Sequence, residues 1–258
     1  MDRVIYTTLT SLTARQRAQA VTANNLANAE TIGFRREIVA AEGRYLRGPM
    51  DRGPSHTSPS HTSRAQTGSP SLTTPLSHGR LVPTGRSLDI ALNGEAWLAI
   101  EATPVNNEPR EAYTRRGDLR LSPSGRLELG DGRVPLDTNG NPIQVPANAS
   151  LTIAPDGSII ARQNGIEQTI ARLKLVAGGS KETGFDKGPD GQFTSPDPLP
   201  ADPAASLTSG LLEGANVETA ASLVELVEQS RAFDASARLL RTARELDEAG
   251  TRLLRLEN

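Results

Sequence analysis

The chain has no cysteine and few aromatic residues. Without a thiol it can form no disulfide, no thiolate nucleophile and no cysteine-based zinc site. Aromatic residues make up 3% and hydrophobic residues together 36% of the 258 positions, which is little for one compact core of that size. The 18 prolines and 23 glycines favour turns and extended segments. We therefore expect much of the chain to lie outside a core, and this composition argues against a purely globular enzyme.

The sequence also lacks a long apolar run and an excess of charge of either sign. Its opening, which includes Arg15 and Arg17, has no continuous apolar stretch, so no cleaved signal peptide is expected. No uninterrupted apolar stretch reaches the ~18 residues needed to cross a bilayer, so direct membrane insertion is not expected either. The formal net charge is -2, with lysine and arginine spread along the chain, which argues against nucleic acid as a partner.

Histidine, a frequent catalytic and metal-binding residue, is confined to one segment. His56, His61 and His78 all lie in the Ser-, Thr- and Pro-rich stretch 49–78, so a serine triad is not expected. His56 and His61 could bind a metal, but only Asp51 supplies a carboxylate nearby and nothing would hold the site rigid. A solvated linker is the favoured interpretation. We predict no metal, no cofactor and no small-molecule substrate.

Paired carboxylates are the remaining route to acid–base catalysis. Asp131 and Asp156 each precede a glycine in a predicted turn, where their side chains would bind backbone N–H groups. The other candidates in the same region are Asp89, Asp118 and Asp137. We interpret these carboxylates as structural rather than as a catalytic pair. The chain is therefore predicted not to be an enzyme.

Two long helices are predicted, one at each end of the chain. Residues 3 to about 28 contain no glycine or proline, and a narrow apolar stripe recurs at spacings of three and four. Residues from about 217 to 256 contain no proline and one glycine, and their apolar positions have a heptad-like spacing. Nothing else in the chain is evidently built to cover these stripes. The terminal helices are therefore predicted to form coiled coils with partners.

Between the helices, the composition predicts first a linker and then a β domain. Short apolar runs alternate with turn dipeptides such as Asn139-Gly140 and Asn164-Gly165, at roughly 8 to 12 residues, which indicates an all-β sandwich or barrel-like domain. The expected strands are 88–92, 97–101, 119–121, 126–129, 143–145, 151–153, 158–161 and 172–176. The fold class is thus mainly β with terminal α. The predicted organisation is a helix and turn over 1–47, a linker or extended arm over 48–80, a β domain with its return loop over 81–205, and a helix over 206–258.

Several motifs match one protein family in its own order. The run Asn24-Asn25-Leu26-Ala27-Asn28, followed after a short spacer by Gly33-Phe34-Arg35, resembles the N-terminal signature of bacterial flagellar rod and hook proteins. The resemblance continues through 84–91, 113–117, 139–143, 156–159 and 212–217. The chain departs from the family at 96–98, which reads Ala-Trp-Leu where two aromatic residues are common, and at Ala215, where serine is common. The resemblance covers nearly the whole chain.

This resemblance implies a structural function in the drive shaft for motility. Rod subunits of that family stack as a helical tube, with both terminal helices in an inner coiled layer and the β domain outside. The implied partners are copies of the chain, other rod or axial proteins, and the flagellar type III export apparatus. The implied location is the periplasmic rod of the basal body. Within the family, a proximal rod subunit is the favoured interpretation, and a distal rod or hook-type subunit is the alternative.

The assembly interface is predicted on the terminal helices and the signature turn. Asn24, Asn25 and Asn28 could hydrogen-bond either a neighbouring subunit or the local backbone. Gly33 and Phe34 are interpreted as a turn with an anchoring aromatic residue, although Phe34 could simply start the next segment. The apolar members of the predicted interface are Leu9, Leu12, Leu26, Leu223, Leu226, Phe233, Leu240 and Leu246. We expect them to make contacts both within the chain and between subunits.

One alternative comes from a different functional class. An extracellular carbohydrate-binding or adhesive β protein could also carry helices that form coiled coils at its ends. Such a protein would be expected to have a cleaved signal and a cluster of exposed aromatic or acidic residues. Neither is visible in the sequence, so the structural subunit is favoured.

Overall fold

The computed structural model describes residues 2–40, 43–46, 64–67, 71–105, 108–178 and 184–256. Helix α1 spans Asp2–Ala27 and helix α2 spans Thr219–Leu256, with short strands between them. A mainly β fold with one helix at each end is therefore confirmed. His56 and His61, together with most of the predicted linker, lie outside the described residues. Neither described helix is long and apolar enough to cross a membrane.

The strands follow one another in short segments with frequent turns. They are β1 Ile38–Ala40, β2 Gly43–Leu46, β3 Arg64–Thr67, β4 Ser71–Thr73, β5 Leu81–Pro83, β6 Ile90–Leu92, β7 Ala96–Val105, β8 Glu108–Thr114, β9 Leu119–Leu121, β10 Leu127–Leu129, β11 Ser150–Ile153, β12 Ser158–Gln163, β13 Ile166–Arg172, β14 Leu175–Ala177, β15 Asp186–Lys187, β16 Phe193–Thr194, β17 Leu207–Ser209 and β18 Leu211–Glu213.

The contacts divide the chain into two units. The helical unit comprises the described parts of Met1–Ala27, Glu37–Pro75 and Glu218–Asn258, and the β unit comprises Asn28–Arg36 and Leu76–Val217. The signature turn thus belongs to the β unit, although the sequence groups it with the N-terminal helix. Strands β17 and β18 also belong there, because they pair with β6 and β5.

In the helical unit, α1 packs against α2 and two small antiparallel sheets accompany them. Strand β1 pairs with β4, with Val39 opposite Leu72, and β2 pairs with β3. Strands β3 and β4 lie within 48–80, where the sequence predicts a linker or extended arm. Their backbone N–H and C=O groups pair with the strands that follow α1. Because these partners lie elsewhere in the sequence, the Ser- and Thr-rich stretch itself shows no apolar alternation from which strands could be predicted.

The β unit is organised around strand β7, which is buried on both faces. Leu98 and Ile100 point into one core cluster, while Trp97 and Ala99 point into a second, as the alternation of side chains along a strand requires. The five-stranded sheet has the order β14-β7-β8-β16-β15, and a three-stranded sheet has the order β11-β12-β13. Within the described residues no sheet closes on itself, so the barrel-like alternative is wrong.

Glycine-containing turns punctuate the strands where the sequence predicts them. Asn164 and Gly165, at φ values of 51° and 79°, connect β12 to β13, and left-handed backbone at both central residues is what a tight hairpin needs. Positive φ also occurs at Gly140, in the other dipeptide named above, and at Gly132 and Gly157, which follow Asp131 and Asp156. The expected strand at 143–145 is wrong, since Gln144 makes only an isolated bridge to Arg126 while Ile143 and Val145 supply buried side chains.

Candidate assembly site

The signature turn begins where α1 ends. The Thr31 N–H donates to the Asn28 carbonyl at 3.0 Å, and the Thr31 hydroxyl donates to Asn28 Oδ1 at 3.2 Å. Gly33 then adopts a φ of +70°, and a Cβ added there would lie 2.5 Å from the backbone nitrogen of Arg116. Because backbone atoms cannot move aside as a flexible side chain can, only glycine fits this close approach.

A buried ion cluster, formed by Arg35, Arg115 and Glu213, lies beside the turn. Arg35 Nη2 is 2.6 Å from Glu213 Oε1, and Arg115 Nε donates to Glu213 Oε2 at 2.9 Å. The Gly79 N–H donates to Oε1 at 2.9 Å. The side chains of Arg35, Arg115 and Glu213 are 0%, 2% and 1% exposed. One carboxylate therefore connects three segments that are far apart in the sequence.

Hydrogen bonds stabilise the buried charges of this cluster. Arg115 also donates to the carbonyls of Leu92, Gly94 and Ala96 at 2.6 to 2.8 Å. Burial acts to raise the pKa of Glu213, but Arg35, Arg115 and the Gly79 N–H outweigh it and hold that pKa below its ordinary value. Glu213 is therefore an anion at neutral pH, and removing it would leave two buried cations without their counter-charge.

Further contacts fix the turn to the β unit on either side of the ion cluster. The Gly33 N–H donates to the Glu213 carbonyl at 2.8 Å, and the Asn216 N–H donates to the Phe34 carbonyl at 3.3 Å. Phe34 is buried, with Lys187 Nζ 4.2 Å from its ring centroid, and Nζ donates to the Arg35 carbonyl at 2.8 Å. The turn that follows α1 and the segment that precedes α2 are thus attached to each other within the β unit.

Trp97, the single tryptophan, packs directly against this cluster. The Arg115 and Arg35 guanidinium carbons lie 5.7 and 6.0 Å from its ring centroid. Phe185 and Phe193 pack against other parts of the ring, with centroids at 5.1 and 4.7 Å. The departure from the family at 96–98 therefore leaves Trp97 well packed. Its indole is also an internal probe of the ion cluster.

The asparagines of the signature occupy different environments. Asn25 is buried in the helical unit, where its Nδ2 donates to the Glu37 carbonyl at 2.7 Å and its Oδ1 accepts from the Glu37 N–H at 2.9 Å. Its amide is therefore used within the subunit, in a contact between α1 and the segment that precedes β1. Asn24 is exposed and Asn28 is half-buried beside Thr31. A role for these asparagines between subunits stays a prediction.

The helical unit has an unusual distribution of polar and apolar side chains. Its described side chains include three buried ones, and all three are polar: Thr22, Asn25 and Ser236. By contrast, several large apolar side chains of the helices are exposed: Leu9, Leu223, Val224, Val227 and Leu239. The predicted interface residues Leu12, Leu26, Leu226, Phe233 and Leu240 are half-buried, and the side chain of Leu246 lies outside the described residues.

The five carboxylates considered for catalysis all make structural contacts. Asp131 and Asp156 accept from the backbone N–H two residues ahead, at 3.2 and 3.1 Å, as predicted for turn residues. Asp137 accepts from two N–H groups of its own turn. The remaining pair, Asp89 and Asp118, bind the guanidinium groups of Arg86 and Arg116.

Comparison with known proteins agrees with this arrangement. A family model described as "Flagella basal body rod protein" matches residues 5–35, and one described as "Flagellar basal body rod FlgEFG protein C-terminal" matches residues 208–253. The flagellar basal-body rod protein FlgF of Escherichia coli (strain K12) is 32% identical over 246 residues, 91% of each chain. FlgF of Salmonella typhimurium is 32% identical over 98% of this chain and 99% of its own.

The chain belongs to the flagellar basal-body rod protein family. It therefore functions as a structural subunit of the flagellar rod. The flagellar basal-body rod protein FlgG of Bacillus subtilis (strain 168) is also similar, at 27% identity over 95% of this chain and 97% of its own. The resemblance to this family in the signature and the later motifs is thus confirmed.

Two residues of the ion cluster lie in the segments that the family models match. Arg35 is the last residue matched by the N-terminal family model, and Glu213 lies within the C-terminal match. Arg35, Arg115 and Glu213 lie in three separate motifs of the sequence, and none of them is among the predicted interface residues. No local signal in the sequence could have found them, because the three residues lie in motifs that are far apart in the sequence.

Proposed function

We propose that this rod subunit polymerises through its terminal helices and occupies a FlgF-type, proximal position in the rod. Relatives named FlgF reach 32% identity to this chain, against 27% for the FlgG of Bacillus subtilis. The partners are copies of this chain and other rod proteins. The subunit reaches a periplasmic rod through the type III export apparatus, and it performs no catalysis.

The observation that carries this proposal is the exposure of apolar side chains on the helices. Leu223, Val224 and Val227 lie within one turn of α2, and Leu9 adds an exposed leucine on α1. Burying an apolar side chain of this size is worth about 1.5–3 kcal/mol when it starts fully exposed, and less for these half-exposed ones. Packing against helices of neighbouring subunits removes this surface from water. The heptad-like spacing of α2 supports coiled-coil packing in the assembled rod.

The ion cluster has a supporting function in this proposal. It holds residues 33–35, which follow α1, against Glu213, which precedes α2, so the two connections to the helices start from one fixed point. Because the connections to both helices are held in place, each helix can adopt fewer conformations before assembly. Less conformational entropy is therefore lost when the helices pack against a neighbouring subunit. Both faces of β7 are buried in the β unit, which supports a sandwich-like arrangement of its sheets.

Deleting the gene in its source bacterium tests the position in the rod. A proximal subunit has to be in place before parts further from the cell can be added, so we expect non-swimming cells whose basal bodies lack a complete proximal rod as well as the distal rod and hook. Electron cryotomography of the deletion strain measures this directly, and a plasmid copy of the wild-type gene is the control. Basal bodies that keep a proximal rod and lack only the distal part would point to a FlgG-type position. Normal rods would contradict a function in the rod.

A further inference from the structure

Exposed charges of opposite sign lie in two successive parts of α2. Glu218 begins the first part, and its carbonyl accepts from the Ser222 N–H at 2.9 Å as the helix starts. From there to Ser230 every charged side chain is acidic, whereas arginines predominate from Arg231 to Arg241. We call the exposed glutamates the acidic triplet and the exposed arginines the arginine triplet. Their members are Glu218, Glu225 and Glu228, and Arg231, Arg238 and Arg241.

The two triplets have the same spacing. In each, the second residue follows the first by seven positions and the third follows the second by three, as residues on one helix face do. A shift of thirteen positions therefore aligns every glutamate with an arginine. The one other charge between Arg231 and Arg241, Asp234, then aligns with Ala221, which is uncharged. Two antiparallel helices cannot match all three pairs, because the spacing read backwards is three and then seven.

The triplets lie on different sides of α2. Thirteen residues make about 3.6 helical turns, so the arginine triplet is rotated by about 140° from the acidic triplet. Glu225 accepts a hydrogen bond from Gln229 Nε2 at 2.9 Å, and in the part of the chain that the structure describes no ion pair joins members of the two triplets. Complementary charges on nearly opposite sides suit a head-to-tail contact, which continues from copy to copy instead of closing into a dimer.

We propose that the α2 helices of adjacent copies of this chain lie parallel and shifted by thirteen residues, with the arginine triplet of one copy beside the acidic triplet of the next. The shift corresponds to about 20 Å along the helix. This inference rests on the proposed function and gives the contact between copies an orientation and a register. Exposed ion pairs add little to affinity, but charges beside a helix–helix contact select its orientation and register, because other arrangements place like charges together.

The arginine triplet shares its face with exposed apolar side chains. Val224 and Val227 are exposed and lie seven and four residues before Arg231, which places them on that face. Gln229, which donates to a hydroxyl group of α1 at 3.0 Å, is nine residues, or about two and a half turns, before Arg238 and so lies on the opposite side of α2. A neighbour can therefore contact the arginines and the valines while α1 and α2 stay paired.

The test is zero-length cross-linking between copies of the full chain in the assembled rod. The sequence has three lysines, Lys174, Lys181 and Lys187, and none of them lies in α1 or α2. Arg238→Lys therefore keeps the positive charge and introduces the single lysine side chain of the helices. In purified basal bodies, a water-soluble carbodiimide activates a carboxylate, and the lysine amine attacks it to form an amide while the activating group leaves as a urea. Mass spectrometry of the digest then identifies the carboxylate.

We expect the lysine at position 238 to be linked to Glu225 at least about tenfold more than to the other members of the acidic triplet, because the reagent joins groups in direct ionic contact. Such a link has to join two copies, since positions 225 and 238 of one helix are about 20 Å apart. Arg241→Lys should likewise select Glu228. Leu239→Lys is the control, because Leu239 is 67% exposed but lies about 100° further around α2, so it should give no link to the acidic triplet.

A second measurement exchanges the charges. Glu225→Arg together with Glu228→Arg places like charges beside each other, and we expect incorporation into rods, measured by immunoblotting of basal bodies, to fall by about tenfold. Adding Arg238→Glu and Arg241→Glu to the same chain restores opposite charges at the thirteen-residue shift. Incorporation should then return to within about threefold of the wild type. If these residues acted only on the stability of α2, the quadruple variant would be at least as impaired as the double variant.

The outcomes separate this inference from the function on which it rests. Links at the thirteen-residue shift together with recovery in the quadruple variant support it. It is overturned by links from position 238 to another member of the acidic triplet, by the absence of a link when the variant is present in rods, or by a quadruple variant that does not recover. Absence of the wild-type chain from rods would refute the proposed function, and this inference would fail with it.

Discussion

Replacing Glu213 by glutamine is expected to destabilise the β unit by about 3–5 kcal/mol, the cost of leaving buried charges without their partner. Glutamine keeps the shape of the side chain but removes the negative charge that faces Arg35 and Arg115 at 2.6 and 2.9 Å. Few other single changes in the described chain would leave two buried guanidinium groups uncompensated. A loss of this size is a large fraction of the total stability of a typical domain.

The measurement for Glu213→Gln is urea denaturation followed through the fluorescence of Trp97, which lies against both guanidinium groups. The matched control is Glu167→Gln, because Glu167 is 64% exposed and its ion pair with Arg162 spans 4.0 Å. Such a surface pair is worth about 0–1 kcal/mol, so the control should differ little from the wild type. Equal effects of the two substitutions would show that the buried ion cluster does not stabilise the fold.

The same variant should also change how stability depends on pH. Burial opposes ionisation of Glu213, but the two arginines prevail and keep its pKa below its ordinary value. A carboxyl group with a depressed pKa stabilises the fold fully above its unfolded pKa of ~4.3, and this stabilisation is lost as pH falls through the folded value. The difference between wild type and Glu213→Gln should therefore be largest near neutral pH and shrink in acid. A difference that grew on acidification would contradict this assignment.

The double variant Val224→Asp, Val227→Asp is expected to abolish incorporation into the rod while leaving the free subunit folded. These side chains are 60% and 50% exposed in the subunit, so two carboxylates can remain in water there. In an interface packed between helices they would have to be buried without counter-charges, at an effective cost of several kcal/mol each. We expect a reduction in incorporation of at least about a thousandfold, and non-swimming cells.

The measurement for this variant is immunoblotting of purified basal bodies, with circular dichroism of the free protein as the check on folding. Ile166→Asp is the control, because Ile166 is 72% exposed at the β12–β13 hairpin of the β unit and likewise exchanges an exposed β-branched side chain for aspartate. We expect the control to be incorporated like the wild type. Swimming cells that carry the double variant in their rods would exclude the exposed face of α2 as an assembly interface.

The helices and the tight turns could be predicted because their signals are local. A long stretch without glycine or proline and with periodic apolar residues specifies a helix, and it predicted α1 and α2 to within about two residues. Dipeptides such as Asn164-Gly165 specify a hairpin turn through the φ values they tolerate. These features depend on few residues outside the segment itself.

Several strands could not be predicted because their pairing partners determine them. Strand β8 reads Glu-Pro-Arg-Glu-Ala-Tyr-Thr and shows little apolar alternation, yet it pairs along β7, with Ala112 opposite Ile100. Strand β13 is largely exposed and is held by β12. Backbone pairing with a strong neighbour makes such segments strands whatever their own propensity.

The ion cluster could not be predicted because its members are far apart in the sequence. Arg35 and Glu213 are separated by 178 positions, and Arg115 lies between them. Each residue taken alone has the pattern of an exposed charge, which is the usual state of arginine and glutamate. Only the folded β unit shows that the three share one buried site.

Burial of the exposed apolar face of α2 between subunits can be tested by one labelling experiment. The chain has no cysteine, so Val227→Cys introduces a unique thiol at the centre of that face. Reaction with a maleimide reagent is measured by mass spectrometry, first in the free subunit and then in purified rods that contain the variant. We expect fast labelling of the free subunit and labelling slowed by about a hundredfold or more in rods, as for a side chain removed from solvent. Equal labelling rates in both states would contradict it.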